Sequence, residues 1–205
     1  MIRGTRIIEA TNFNKVVAIC RWISEQFGYT ELIIPSIWEQ QTFTDKAGAE
    51  ILNQMYTFPD KKGRSICLIP EVTAIIQEQY KTQWSKEKPK PYRVSYLSRC
   101  YRYERPQAGR YREFWQWGCE ILGGDQTDDL EIREMLIATL NSLSVSYEFN
   151  DSVKRGLDYY IHDGFEAVCE SLGAQKQIAG GGRYDCGIGF AIGIDRVMLA
   201  QEITT

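Results

Sequence analysis

Two apolar, aromatic-rich runs, Tyr92 to Tyr103 and Phe114 to Leu122, flank a turn-rich break at Pro106-Gln107-Ala108-Gly109. Alternating runs on either side of such a break predict a β-hairpin with a loop. Arg99, Arg102, Arg105, Arg110 and Arg112 lie in or beside it, which predicts fixed positive charge at its mouth. A guanidinium stays charged and forks onto phosphate through two parallel hydrogen bonds. With Phe and Trp rings beside it on which a base can stack, the pattern suits a nucleotide triphosphate. On the returning strand Phe114, Gln116, Gly118 and Glu120 share parity, so one face presents an aromatic ring, an amide, a gap and a carboxylate. A carboxylate buried there needs a donor. The competing reading is a solvated hairpin laced with surface salt bridges.

The remaining composition narrows the class. A chain of 205 residues with 43% hydrophobic and 25% charged residues is expected to form a single domain, residues 1–205, with a real core. The net charge of −3 gives no global basic field, so any nucleic-acid contact is local. No apolar run reaches the length of a membrane span and the N-terminus lacks a signal-peptide pattern. Six scattered cysteines and one histidine, His162, argue against zinc and for reduced thiols in a cytoplasmic protein.

Taken in order, Phe13, Val16, Val17, Cys20, Ile23 and Phe27 form the apolar stripe of a helix with Asn12 as its N-cap and Gly28 as its end. Tyr29 to Pro35 reads as a strand, and Thr42 to Asn53 as loop and short helix. Met55–Phe58 and Ser65–Ile69 read as strands joined by a turn, followed after Thr73 by a helix to about Gln83 and a charged connection, Lys81 to Lys90. Asp125 to Leu143 reads as a helix with an acidic N-terminus, and Val145 to Phe149 as a strand. The carboxylate and hydroxyl of Glu71 and Thr73 suit an ammonium group, or equally a helix cap.

Several of these segments share a resemblance. Arg102-Tyr103-Glu104-Arg105-Pro106-Gln107-Ala108-Gly109-Arg110-Tyr111-Arg112, running on to Cys119-Glu120, resembles motif 2 of class II aminoacyl-tRNA synthetases in its histidyl form. Arg155-Gly156-Leu157-Asp158-Tyr159-Tyr160 resembles the hexapeptide that marks histidyl-tRNA synthetases, and Ala179 to Asp185 their second signature. Ile188 to Met198 resembles motif 3, with Asp195 where Glu is commoner. Tyr29 to Pro35 resembles motif 1, Arg3-Gly4-Thr5 the N-terminal lead-in, and Pro70 to Thr73 a substrate-binding segment, with Ile69 where arginine usually stands.

The resemblance implies an α+β fold, the class II antiparallel β-sheet flanked by helices, and a homodimer through the Pro35 region. It implies activation of L-histidine by ATP with Mg2+ to histidyl-adenylate, then transfer to tRNA(His). Arg102 and Arg155 would act on the α-phosphate. Glu104, Arg110, Phe114 and Arg196, with Arg102, would hold ATP. Glu71, Thr73, Gln116, Glu120, Leu157, Tyr159, Tyr160 and Tyr184 would hold histidine, and Gln107 and Arg112 would meet the tRNA acceptor end. His162 is expected to be a strand residue without a catalytic role. The usual inserted domain is expected to be missing between Glu120 and Arg155, and the C-terminal anticodon-binding domain after motif 3. Two alternatives stand beside this ligase: a histidine-activating enzyme with another acceptor, and a non-catalytic histidine sensor resembling the regulatory subunit of ATP phosphoribosyltransferase.

Overall fold

The computed structural model describes residues 3–44, 49–154 and 159–204. After helix α1 (Ala10–Gln26) come the short strands β1 (Thr30–Leu32) and β2 (Ile37–Glu39), and helices α2 (Gln41–Thr44) and α3 (Ala49–Gln54). Strands β3 (Tyr56–Pro59) and β4 (Ser65–Leu68) precede α4 (Thr73–Gln79), which continues through a π-helical turn, Tyr80–Trp84, into α5 (Ser85–Glu87). The predicted hairpin is β5 (Tyr92–Tyr101) and β6 (Glu113–Leu122). Helix α6 (Asp128–Ser142), strands β7 (Glu148–Val153), β8 (Gly164–Val168), β9 (Gln177–Tyr184) and β10 (Gly187–Gly193), and helix α7 (Ile194–Thr204) complete the order.

The main sheet has seven strands in the order β1-β5-β6-β10-β9-β8-β7; β2, β4 and β3 form a separate three-stranded sheet. Every pairing of the large sheet is antiparallel except β1 with β5. The expected antiparallel sheet with flanking helices is therefore present. Side-chain parity on β6 divides the interior. Trp117, Cys119 and Ile121 pack with residues of α1, α6 and α7 in one apolar cluster. Leu122 and Phe114 face a second cluster with Ile69, Ile75, Ile76 and Tyr96. Fully buried Trp117 is a principal anchor of the first cluster, and truncating such a residue to alanine costs about 3–5 kcal/mol. Gly118 is required where it stands: a Cβ there would lie 2.3 Å from the ring of Tyr96, its cross-strand partner.

Several local expectations are corrected. Helix α1 starts at Ala10 with Glu9 in the N-cap position and no side-chain cap; its first turn is largely exposed, where water can serve the free N–H groups, so Asn12 is not the cap. Of the strand expected over Tyr29 to Pro35 only three residues are paired, because β1 meets β5 only at Val94 to Tyr96 and Ile33 leaves the sheet 98% exposed. The charged stretch after Lys81 stays helical to Glu87, anchored by the edge-to-face packing of Trp84 on Tyr92. The strand near residue 148 begins later than Val145, which packs into the core instead. His162 lies in an exposed bend, not a strand. The glycines from 180 to 182 belong to buried strand β9.

Candidate active site

Between the hairpin, the β9–β10 pair and α4 lies a cavity of about 350 Å³, within the range of small-molecule sites. Ten of the predicted residues line it: Glu71, Thr73, Arg102, Glu104, Arg110, Phe114, Gln116, Tyr159, Tyr160 and Arg196. They come from segments spread over more than half of the chain. The alternation of β6 turns Phe114 and Gln116 toward the cavity and Trp115 away from it, against Phe13.

Three guanidiniums converge here. Arg102 donates from Nε to the Pro70 carbonyl (2.9 Å) and lies over the Phe114 ring, 5.3 Å from its centroid. Arg110 pairs with Glu104. Arg196, at the start of α7, donates to the carbonyls of Gly109 (2.8 Å) and Gln177 (2.6 Å) and to the Gln175 amide (3.2 Å). All three of its acceptors are neutral, and two of its five donors are uncommitted in these bonds. Burial, then the neighbouring charges of Arg102 and Arg110, press the Arg196 guanidinium below its ordinary pKa, with Glu104 and Asp195 opposing. A site that crowds like charges in this way favours an anion.

The other three hairpin arginines do not share this role. Arg99 lies over the Trp115 ring at 4.7 Å beside Glu113, and Arg105 is exposed. Arg112 lies over Tyr103 at 4.2 Å and donates to the Glu104 carbonyl (3.1 Å). The expected charge at the hairpin mouth thus narrows to Arg102 and Arg110, because aromatic faces hold Arg99 and Arg112. Gln107, exposed at the tip, and Arg112 both lie outside the cavity lining.

A buried carboxylate lies beneath the cavity floor. Glu120 is fully buried and accepts from the hydroxyls of Thr73 (2.7 Å) and Tyr184 (2.8 Å). Burial, aided by nearby Glu71 and opposed by the two hydroxyls, raises its pKa to about 8. Glu120 and Tyr184 are therefore under the site rather than on its walls. The Tyr184 ring meets Tyr159 edge-on, with centroids 6.1 Å apart, and Tyr159 in turn packs on Tyr160. The Glu71 carboxylate accepts from the Ala74 N–H (2.9 Å), capping α4, and from the Tyr159 hydroxyl (3.4 Å). The pair is therefore only half a helix cap: Glu71 serves the start of α4, while the Thr73 hydroxyl turns to Glu120. Arg155 and Leu157 lie outside the described residues. Reading the sequence for motifs missed Gln54, Lys154, Glu166 and Gln177 in the lining. Lys154 was the most accessible of these, as it directly precedes the marker hexapeptide.

The antiparallel sheet, the arginine-bearing hairpin and a helix opening on an arginine at the end of a glycine-containing strand define the catalytic core of class II aminoacyl-tRNA synthetases. Residues 8–150 match the histidyl-tRNA synthetase family model, and the chain belongs to that family. A histidine–tRNA ligase of Archaeoglobus fulgidus is 30% identical over 310 aligned residues, taking in 98% of this chain and 76% of the relative. That alignment exceeds the 205-residue chain by more than a hundred positions, so the relative has internal sequence without a counterpart here. The apo histidyl-tRNA synthetase of S. aureus superposes with a TM-score of 0.82 at 25% identity, covering 100% of this chain and 70% of that one. An ATP phosphoribosyltransferase regulatory subunit/histidyl-tRNA synthetase from Bacillus halodurans shares the fold, with a TM-score of 0.81, 16% identity and coverage of 96% and 81%.

Proposed function

We propose that this chain activates histidine with ATP and passes the histidyl group to tRNA(His). A carboxylate oxygen of histidine attacks the α-phosphorus of Mg-ATP, the bond to the bridging oxygen breaks, and pyrophosphate leaves. Magnesium arrives with the nucleotide as part of the substrate, where it neutralises phosphate charge. The protein's contribution is alignment and positive charge at the developing pentavalent centre. Arg102 and Arg155 act there, Arg110 and Arg196 on the outer phosphates, and Phe114 under the adenine with Glu104 at its edge. Histidine lies deeper, its amino group toward Glu71, Thr73 and Gln116. Its imidazole sits toward Glu120, Leu157, Tyr159, Tyr160 and Tyr184.

The observation that carries this reading is the convergence of Arg102, Arg110 and Arg196 on one cavity above a buried carboxylate. A histidine sensor needs the carboxylate but not the three guanidiniums, which favours an enzyme over the regulatory alternative. Exposed Gln107, with Arg112 at the base of the same loop, is available to the acceptor end of a tRNA. The β1 edge beside Pro35, with Ile33 98% and Trp22 56% exposed, suits the homodimer contact. Pyrophosphate exchange with each amino acid is the test: exchange dependent on histidine alone supports activation, and binding of histidine without exchange refutes it. Charging of purified tRNA then separates tRNA from any other acceptor.

A further inference from the structure

We propose that the N-terminal segment is a strap that fixes the spacing of the nucleotide clamp, with Arg6 and Asp195 as its positioning residues. The inference rests on the reading of the cavity as an ATP site. Asp195 is nearly inaccessible, and both of its oxygens are engaged: Oδ1 accepts from Arg6 (2.6 Å) and Oδ2 from the backbone N–H of Trp115 (2.6 Å). Its chain neighbour is Arg196, and that of Trp115 is Phe114. One carboxylate therefore joins the helix that carries the cation to the strand that carries the ring, 80 residues away. A buried carboxylate is tolerable only when paired and hydrogen-bonded, and Arg6 supplies the charge.

The strap also grips the loop from outside. The Arg6 guanidinium lies over the Tyr111 ring at 4.1 Å, and the Gly4 carbonyl accepts from the Arg112 N–H (2.7 Å). Gly4 is wedged closely, for a Cβ there would come within 2.8 Å of both Arg112 and Pro106. Arg6 Nε is buried without a hydrogen-bond partner, so the carboxylate and the ring are what hold this guanidinium. Tyr111 and Arg112 follow Arg110 directly, and the loop carbonyl of Gly109 accepts from Arg196. Arg110, Phe114 and Arg196 are thus referenced to one another through Asp195, at the cavity lining, and Arg6, which lies off that lining. Among the described residues, no hydrogen bond or ion pair joins Arg6 or Asp195 to histidine's subsite beneath, around Glu120 and Thr73.

The test is equilibrium titration of the purified chain with a non-hydrolysable ATP analogue and, separately, with histidine. Arg6→Met keeps the apolar stem on Tyr111 and removes the ion pair. It is expected to weaken the analogue about tenfold while histidine affinity stays within about twofold. In the cycle with Asp195→Asn the double variant should bind the analogue no worse than Arg6→Met alone, since the two residues act as one unit. Equal losses for both ligands, or unchanged analogue affinity, would overturn the strap while leaving the ATP site standing. Additive losses in the cycle would also overturn it. If the unaltered chain fails to bind the analogue, the ATP reading falls and the strap with it.

Discussion

Glu120→Gln tests the electrostatics of the site most sharply, because a carboxylate with a raised pKa makes the fold pH-sensitive in an unusual direction. Glu120 is wholly buried, and its partners Thr73 and Tyr184 are neutral. Its pKa stands at about 8 against an ordinary 4.5. Between those values the folded chain binds one proton more than the unfolded chain at this position. Stability therefore falls as pH rises, by about 1.4 kcal/mol per pH unit at most and roughly 4–5 kcal/mol across the window. The loss is complete above pH 8 and absent below about pH 4.5. Glutamine is neutral throughout, and its amide can accept from one hydroxyl and donate to the other. Denaturant unfolding of both proteins from pH 5 to 8.5, without substrates, reads the difference. Near pH 5 the two should be similar; at pH 8.5 the variant should be more stable by several kcal/mol. A difference that does not change with pH would show that Glu120 titrates as an ordinary carboxylate and would refute the argument.

Arg102→Ala should lower histidine-dependent pyrophosphate exchange by about 10²–10³-fold, the usual loss for one donor aimed at a transition-state charge. The melting temperature should barely move, because among the described residues the Arg102 side chain makes one hydrogen bond, to a neutral carbonyl, and a ring contact. Gly189→Ala should destabilise the chain by about 1–3 kcal/mol or more in denaturant unfolding. Its new Cβ would be 1.6 Å from Glu120 Oε2 and 2.6 Å from the Cys119 carbonyl, and backbone cannot swing aside; unchanged stability would contradict the packing of β10 over Glu120.

The hairpin was legible because its two strands are long, alternate well enough to be read as strands, and are separated by a turn-rich break. The same parity placed Phe114 and Gln116 on the cavity side and Trp117 on the core side. Arg196 was legible through the motif 3 resemblance of Ile188 to Met198, which the structure resolves into the end of β10 and the start of α7. What the local pattern could not supply was pairing. Tyr29 to Pro35 reads as a strand stopped by proline, but the length of β1 is set by β5, sixty residues away. Ile37-Trp38-Glu39 passed unread as a strand because three residues carry little periodicity, and only the partner β4 makes it one. Within the site, motif reading found the residues whose chemistry is distinctive and overlooked Gln54 and Gln177, whose side chains have many ordinary uses. It also grouped five arginines as one positive field. The structure gives two of them to the cavity, lays Arg99 and Arg112 on aromatic rings and leaves Arg105 in solvent, a division decided by neighbours in space.

The most direct test of the account is a crystal structure of the chain with ATP and histidinol, the non-reacting alcohol of histidine. The triphosphate oxygens should lie within hydrogen-bond distance of Arg102, Arg110 and Arg196, with adenine against Phe114 and the imidazole over Glu120. A nucleotide bound elsewhere, or one whose phosphates touch none of those three guanidiniums, would contradict it.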